Sequence, residues 1–401
     1  MTQTIPFDLD QQINRRGTGC AKWSVFGEDV LPLWVADMDF QAPPAVLDAL
    51  RERVDHGIFG YTFPPQRLAS IIVGRMARLY NWHIQPEDIV YIPGVVPGIN
   101  LTARATAQDG AVLIQTPVYP PFHYTSRWSG TDLQQAPLSY LETSAGFTYG
   151  IDFEAFEAAI TPQTKMFLLC NPHNPVGRMF TEDELTRMAE ICQRHDITIC
   201  SDEIHSDLVL DGTQHIPIAN LSEDAAQRTV TLIAPSKTYN IPGLLFSVAI
   251  IQNPDLRRRF MEAGAGILIM LTDQYAHSMV NMMGATAAEA AYQHGDEWLR
   301  SVLDYVQSNR DFAVAYLREY MPALKTAQLE GTYLLWIDCR GANLPEEPGK
   351  WFVDNARVAL NEGSLFGDDG KGFVRMNLAC PRSTLKDALE QMKDALSHRD
   401  S

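Results

Sequence analysis

The run Pro235-Ser236-Lys237-Thr238-Tyr239-Asn240-Ile241-Pro242-Gly243-Leu244 sets one lysine between a β-rich stretch and a turn. The preceding residues 229–234 (TVTLIA) read as a buried strand, so Lys237 is expected in a loop at its end and not on a solvated helix face. A lysine placed there can lose its proton and attack a carbonyl. Upstream, 196–200 (DITIC) ends in Ser201-Asp202-Glu203-Ile204-His205. Further upstream, 166–170 (MFLLC) runs into Asn171-Pro172-His173-Asn174-Pro175-Val176-Gly177, a turn-rich segment that cannot continue a strand. Three successive strands therefore end in Asn174, Asp202 and Lys237, at the sheet edge where open α/β folds bind ligands. A pyridine aldehyde needs a carboxylate to keep its ring nitrogen protonated, a donor near its ring hydroxyl and a lysine for its aldehyde. All three are present in that order.

The elements that must position these residues alternate. Strand-like runs at 112–115, 166–170, 197–200, 229–234 and 246–252 are interspersed with helical ones, which predicts a largely parallel sheet covered on both faces. Thr181-Glu182-Asp183-Glu184 is a capping box ahead of Leu185, Met188, Ala189 and Cys192, and it signals a helix start. Pro93-Gly94-Val95-Val96-Pro97-Gly98, followed by the helix-compatible 99–107, supplies a helix N-terminus of the kind that binds anions. The C-terminal part reads as α+β: a helix around 298–320, a strand at 333–338 (YLLWID), a helix at 351–361, a strand at 373–378 and a closing helix at 385–396. No internal repeat or low-complexity linker interrupts the chain.

These residues resemble those of the fold-type-I pyridoxal 5'-phosphate (PLP) enzymes in the class I/II aminotransferase superfamily, and within it the MalY/PatB-type carbon–sulfur β-lyases. Besides the segments above, the resemblance is carried by Asn14-Arg15-Arg16-Gly17-Thr18, Lys22-Trp23, residues 34–40 (WVADMDF), 57–62 (GIFGYT), 116–119 (TPVY) and 372–382 (GFVRMNLACPR). It covers nearly the whole length in the family's order. It implies an α/β fold with a large domain, a mostly parallel seven-stranded sheet between helices, at residues 46–285. Residues 1–45 and 286–401 would form a smaller α+β domain.

The same resemblance makes Lys237 the lysine that bonds the cofactor aldehyde and acts as general base, Asp202 the partner of the ring nitrogen and Asn174 the donor to the ring hydroxyl. Tyr119 falls where the family stacks an aromatic on the cofactor ring and is expected to share in catalysis. His205 stands where many aminotransferases have a tyrosine, a departure shared by the lyase-like subgroup. Gly94, Val95 and Val96 would give the cofactor phosphate their N–H groups, Ser236 its hydroxyl and Tyr61 a contact from the neighbouring subunit of a homodimer with shared active sites. Where many aminotransferases add a phosphate-binding arginine, this chain has Leu245. Arg375 aligns with the arginine that grips the substrate α-carboxylate by a two-pronged hydrogen bond, with Ala36 and Tyr61 also on the substrate side.

Composition agrees with an ordinary globular enzyme: 401 residues, 46% hydrophobic and 20% charged. No apolar stretch approaches the length that spans a bilayer, and residues 1–10 lack the basic and apolar regions of a secretory signal, so a cytoplasmic location is expected. Six cysteines are scattered without a CxxC pair, which favours reduced core residues over disulfides or zinc. A net charge of −17, with Arg257-Arg258-Arg259 as the sole basic run, argues against a nucleic-acid partner. Asp202, Glu203, His205 and Asp207 are metal-ligand types, but alternate residues diverge on a strand-to-loop segment and no metal is expected. Residues 367–372 (GDDGKG) lack the ending of a phosphate loop and read as a turn, and Trp336 and Trp351 read as packing.

The leading expectation is a PLP carbon–sulfur lyase acting on cystathionine or a related cysteine S-conjugate. A PLP aminotransferase of an L-amino acid is the alternative, because Lys237 can serve either path. A non-enzymatic regulatory protein that keeps the fold is disfavoured by the intact Lys237, Asp202, Asn174 and Arg375.

Overall fold

The computed structural model describes residues 7–271, 276–278 and 280–399. Seven strands form the large sheet: β1 (Ile89–Ile92), β2 (Ala111–Ile114), β3 (Asp132–Gln135), β4 (Thr164–Cys170), β5 (Thr198–Asp202), β6 (Thr229–Ile233) and β7 (Ser247–Ile250). Their order is β1-β7-β6-β5-β4-β2-β3, and β7 alone runs opposite to the other six. Every residue of β2, β6 and β7 is buried, as expected of strands covered on both faces. The five strands expected from the apolar runs are present. The polar edge strand β3 (DLQQ) carries no hydrophobic pattern and β1 was also unforeseen.

Helices set the catalytic edge. In α1 (Val95–Thr106) the helix starts four residues before the expected 99–107, with Pro97 in its first turn, where the missing N–H would have had no intrahelical partner. Gly98 lets this helix lie close on the sheet, since a Cβ there would sit 2.6 Å from Ile92 Cδ1 and 2.8 Å from Leu232 Cδ2. The capping box forms at α2 (Glu182–Arg194): Thr181 Oγ1 accepts from Glu184 N at 3.2 Å and Glu184 Oε2 accepts from Thr181 N at 2.9 Å. Lys237 lies not in a loop but on the one-turn helix α3 (Pro235–Thr238), because Pro235 presets the helical φ at the first position.

The C-terminal part builds a four-stranded antiparallel sheet from β8 (Lys325–Thr326), β9 (Leu334–Asp338), β10 (Asn361–Glu362) and β11 (Phe373–Asn377), in the order β8-β9-β11-β10. Helices α4 (Asp296–Tyr320), α5 (Pro348–Ala356) and α6 (Arg382–Arg399) pack around it. The helix expected over 351–361 is shorter at its C-terminal end. Arg357 adopts a left-handed φ of 56°, which caps α5, and Val358–Ala359 then pairs in parallel with Leu31–Pro32. Register puts Trp336 and Asn361 on either side of Arg375. Trp336 is fully buried and stacks on Phe373 at 5.1 Å.

Candidate active site

Strands β4, β5 and β6 end level, with Cys170 beside Asp202 and Asp202 beside Leu232. The ladder runs one step further, since Asn171 N donates to Asp202 O at 3.0 Å and Glu203 N to Leu232 O at 2.9 Å. Asn174, Asp202 and Lys237 therefore leave the same sheet edge from three adjacent strands.

Lys237 Nζ donates to the Ala36 carbonyl at 2.7 Å, and Tyr333 Oη donates to the same oxygen at 2.9 Å. Loss of water around the ammonium, reinforced by the Arg375 charge, lowers the lysine pKa to about 8 against the pull of Asp37 and Asp202. An amine this easily deprotonated is a nucleophile near neutrality. Its short helix is tied down by Thr238 Oγ1, which donates to Asp207 Oδ2 at 3.0 Å, and Asp207 is held by the buried Arg75 at 2.7 Å.

Asp202 is 4% exposed, and burial raises its pKa to about 7 although the Ile204 N–H (3.1 Å) and Lys237 both favour the anion. A carboxylate so poorly solvated gains strongly from a cation brought against it. His205 is buried beside it with Nδ1 unpartnered, and burial, Lys237 and Arg375 hold the imidazole neutral. Tyr119 immediately precedes the helix Pro120–Ser129, and burial and then Asp202 raise its phenol pKa while Arg375 opposes them.

Arg375 is also 4% exposed, yet it forms no ion pair among the described residues. Nη1 donates to Asn174 Oδ1 at 2.9 Å, Nη2 to Trp34 O at 3.0 Å and to Asn361 Oδ1, and Nε is buried without a partner. Its guanidinium lies 5.0 Å from the Phe366 ring. Burial lowers its pKa to about 10. Such a charge is costly unless a ligand anion completes it.

The segment 34–40 passes over these groups as a strap whose carbonyls are taken one by one. Arg375 holds Trp34 O, Asn377 Nδ2 holds Val35 O and Asp37 O at 2.6 Å each, and Asn240 Nδ2 holds Met38 O at 3.0 Å and Phe40 O at 2.7 Å. Behind it, Lys22 pairs with Asp39 at 2.7 Å, and Arg15 with Asp37 and Asp39 at 2.6 and 2.7 Å. Burial pushes the Asp39 carboxyl up, but Lys22, Trp23 and Arg15 outweigh it and keep the group ionised.

Lys237, Asp202, Asn174, His205, Tyr119, Ala36 and Arg375 are thus brought together. Gly94, Val95 and Val96 open α1 directly after β1, and Ser236 stands on α3 after β6, two strands away along the same edge. Tyr61 does not join its own chain's site, being fully exposed. Tyr333, Asn361 and Phe366 were not anticipated; nothing in their local sequence marks them, because each meets the site only through long-range packing. Asn240 and Asn377 lie inside motifs already singled out.

The donor set fits PLP. An easily deprotonated lysine suits an aldehyde, a desolvated carboxylate suits a ring N–H⁺, and a helix N-terminus with a hydroxyl on the same sheet edge suits a phosphate. The unpartnered His205 Nδ1 and Arg375 Nε are buried polar atoms of the kind that a bound ligand satisfies.

The family described as aminotransferase class I and II matches residues 28–392. Cystathionine β-lyase PatB of Bacillus subtilis is 39% identical over 398 residues, covering 97% of this chain and 100% of the other. Among solved structures, a PLP-bound protein of Clostridium difficile 630, provisionally assigned as an aminotransferase, superposes with TM-score 0.91 at 40% identity over 97% of this chain and 100% of the other. Cystalysin of Treponema denticola, which contains PLP, superposes with TM-score 0.90 at 33% identity, covering 98% and 99% of the two chains.

Proposed function

Since the chain belongs to the aminotransferase class I and II family, we propose that it is a PLP-dependent carbon–sulfur β-lyase that cleaves cystathionine or a related L-cysteine S-conjugate to a thiol, pyruvate and ammonia. The observation that carries an amino-acid substrate is Arg375, a buried guanidinium without a carboxylate, bonded to the same strap as Lys237. Support for the lyase branch comes from the similarity to PatB and cystalysin.

PLP, when bound, supplies a conjugated electron sink for the charge left at Cα after deprotonation. Arg375 binds and orients the α-carboxylate with its guanidinium N–H groups. Lys237 in its neutral form takes the proton from Cα at Nζ, which its lowered pKa permits near neutrality. Asp202 keeps the ring-nitrogen proton in place. Asn174 Oδ1 is occupied by Arg375, which leaves Nδ2 free to donate to a ring hydroxyl were one bound. Tyr119 would pack on the ring and His205 would lie near it, while Gly94, Val95, Val96 and Ser236 would hold the phosphate. Lys237 then gives its proton to the departing sulfur, the Cβ–S bond breaks, and the three-carbon remainder takes up water to give pyruvate and ammonia.

We further propose a cytoplasmic homodimer in which Tyr61 of one subunit serves the other's site. The run of exposed apolar side chains at Ile58, Phe59, Tyr61 and Phe63 supports this arrangement. Among the described residues no helix is long and apolar enough to cross a membrane. The division at residues 46 and 285 is kept as the proposed domain boundary.

An aminotransferase is the second reading, favoured by the provisional assignment of the C. difficile relative. The two separate in one assay of the purified holoenzyme. The lyase releases pyruvate and homocysteine from cystathionine with no keto acid added; turnover that depends on an added keto acid would replace the proposal with transamination.

A further inference from the structure

We propose that Glu203 is a second carboxylate of the ring-nitrogen site, touching nothing bound there but holding a negative charge directly behind Asp202, with Ser201 and His215 as its mount. The proposal rests on the reading above, in which Asp202 and Lys237 hold a pyridine ring.

Successive side chains of an extended segment point to opposite faces, so Ser201 and Glu203 lie on the side away from Asp202. The ladder bond from Glu203 N to Leu232 O keeps the segment extended through this position. On that far face Ser201 Oγ donates to Glu203 Oε1 at 2.9 Å, a bond that bridges Asp202 from behind. His215 Nε2 lies 2.7 Å from Glu203 Oε2. Glu203 and His215 are 2% and 4% exposed, so neither charge nor hydrogen bond is weakened by water.

The geometry assigns the proton of this pair. His215 Nδ1 is buried with no partner. A proton there would be an N–H without an acceptor, which is more costly than an idle lone pair. The arrangement assigned to the pair therefore has the proton on Nε2 donated to Glu203, so that both Glu203 oxygens accept. The other groups facing the pair leave the Glu203 charge uncompensated. Tyr80 meets the His215 ring edge-on at 5.6 Å, and its hydroxyl lies 3.3 Å from Asp207. His215 also borders a cavity of about 270 Å³, where Arg75 and Arg78 are paired with Asp207 and Asp296. Asp202 precedes Glu203 in the chain, and Glu203 adds to the upward shift of its pKa. A cationic ring nitrogen set against Asp202 would thus feel two carboxylates, one in contact and one acting through a low-dielectric interior.

Glu203→Gln keeps the shape and removes the charge. In the holoenzyme loaded with ¹⁵N-labelled PLP, the ring-nitrogen pKa read by ¹⁵N NMR should fall by about one unit. The Kd for PLP, read by fluorescence titration of the cofactor-free protein, should rise about tenfold. Glu203→Asp, which retains the charge, should restore most of both. A Glu203→Gln protein that folds, binds PLP and titrates like wild type overturns the proposal alone, whereas wild-type protein that takes up no PLP overturns it together with the functional reading. A measurement on wild type stands even if the variant does not fold. ¹⁵N-histidine spectra of the holoenzyme should show one buried histidine as the neutral Nε2–H tautomer in contact with a carboxylate, missing in His215→Gln. An imidazolium at that position would make the pair electrically neutral and overturn the proposal.

Discussion

Arg375 Nη1 donates a 2.9 Å hydrogen bond to Asn174 Oδ1, joining the antiparallel sheet to the loop that follows β4. The residue proposed to grip the substrate thereby sets which end of the Asn174 amide faces the cofactor. Lysine cannot reproduce this, having neither the planar fork nor enough donors for Asn174, Trp34 O, Asn361 and a carboxylate together. Arg375→Lys should lower kcat/KM about a hundredfold or more, with PLP still bound. Normal turnover of the variant would place the carboxylate anchor elsewhere.

Lys237 should be the sole site of covalent cofactor attachment. Borohydride reduction of the holoenzyme followed by peptide mapping should yield one labelled peptide, containing Lys237, and Lys237→Ala should yield none. Uptake of PLP by the cofactor-free protein should accelerate as pH rises through about 8, where the amine loses its proton. A label on any other lysine would sink the assignment.

Stability of the cofactor-free protein should carry two opposite slopes in pH. Asp202 titrates at about 7 when folded against an ordinary 3.8, so between these values the folded state binds more protons and stability falls as pH rises. Lys237 titrates at about 8 against an ordinary 10.5, so across that window the folded state gives up its proton first and stability climbs with pH. Thermal melts of Asp202→Asn should lose the descending limb and exceed wild type at pH 8. An unchanged limb in that variant would show that other groups produce it.

Asn240 accepts from Met38 N at 2.9 Å and donates to the Met38 and Phe40 carbonyls, all from a backbone φ of 55°. Alanine loses three bonds and tolerates that φ poorly. Asn240→Ala should cost about 2–4 kcal/mol in urea unfolding. A loss below about 0.5 kcal/mol would mean that the strap is held without it.

If sites are shared, two inactive proteins should repair each other. Lys237→Ala mixed with a disabling Tyr61 variant yields hybrids in which one site collects both defects and the other neither. With equal amounts and random exchange, activity should return to about a quarter of wild type. Proven exchange without recovered activity would confine Tyr61 to its own subunit or to no role.

Lys237, Asp202 and Asn174 were legible in the sequence because each follows a short apolar run, and strand ends in a parallel sheet converge on one edge. Arg375 was legible only through the resemblance: a lone arginine in a strand carries no local sign that it will be buried without a counter-ion. Tyr333 and Asn361 were invisible for a related reason, since their partners Ala36 and Arg375 are distant in the chain and no periodicity records such meetings. The early end of α5 escaped because Arg357, not a glycine, takes the left-handed position. The edge strand β3 escaped because its side chains are polar.

The strap also fixes an order of assembly. Arg15 and Lys22, made before it, reach the Met38 and Asp37 carbonyls, but Lys237, Asn240, Tyr333, Arg375 and Asn377, which hold the carbonyls from Trp34 to Met38, are all made long after it. A chain emerging from the ribosome N-terminus first cannot finish seating this opening segment until β11 has been synthesised and docked. A nascent chain cut short before β11 would release its own beginning as well as lose Arg375, so the two ends of the protein mature as a single event.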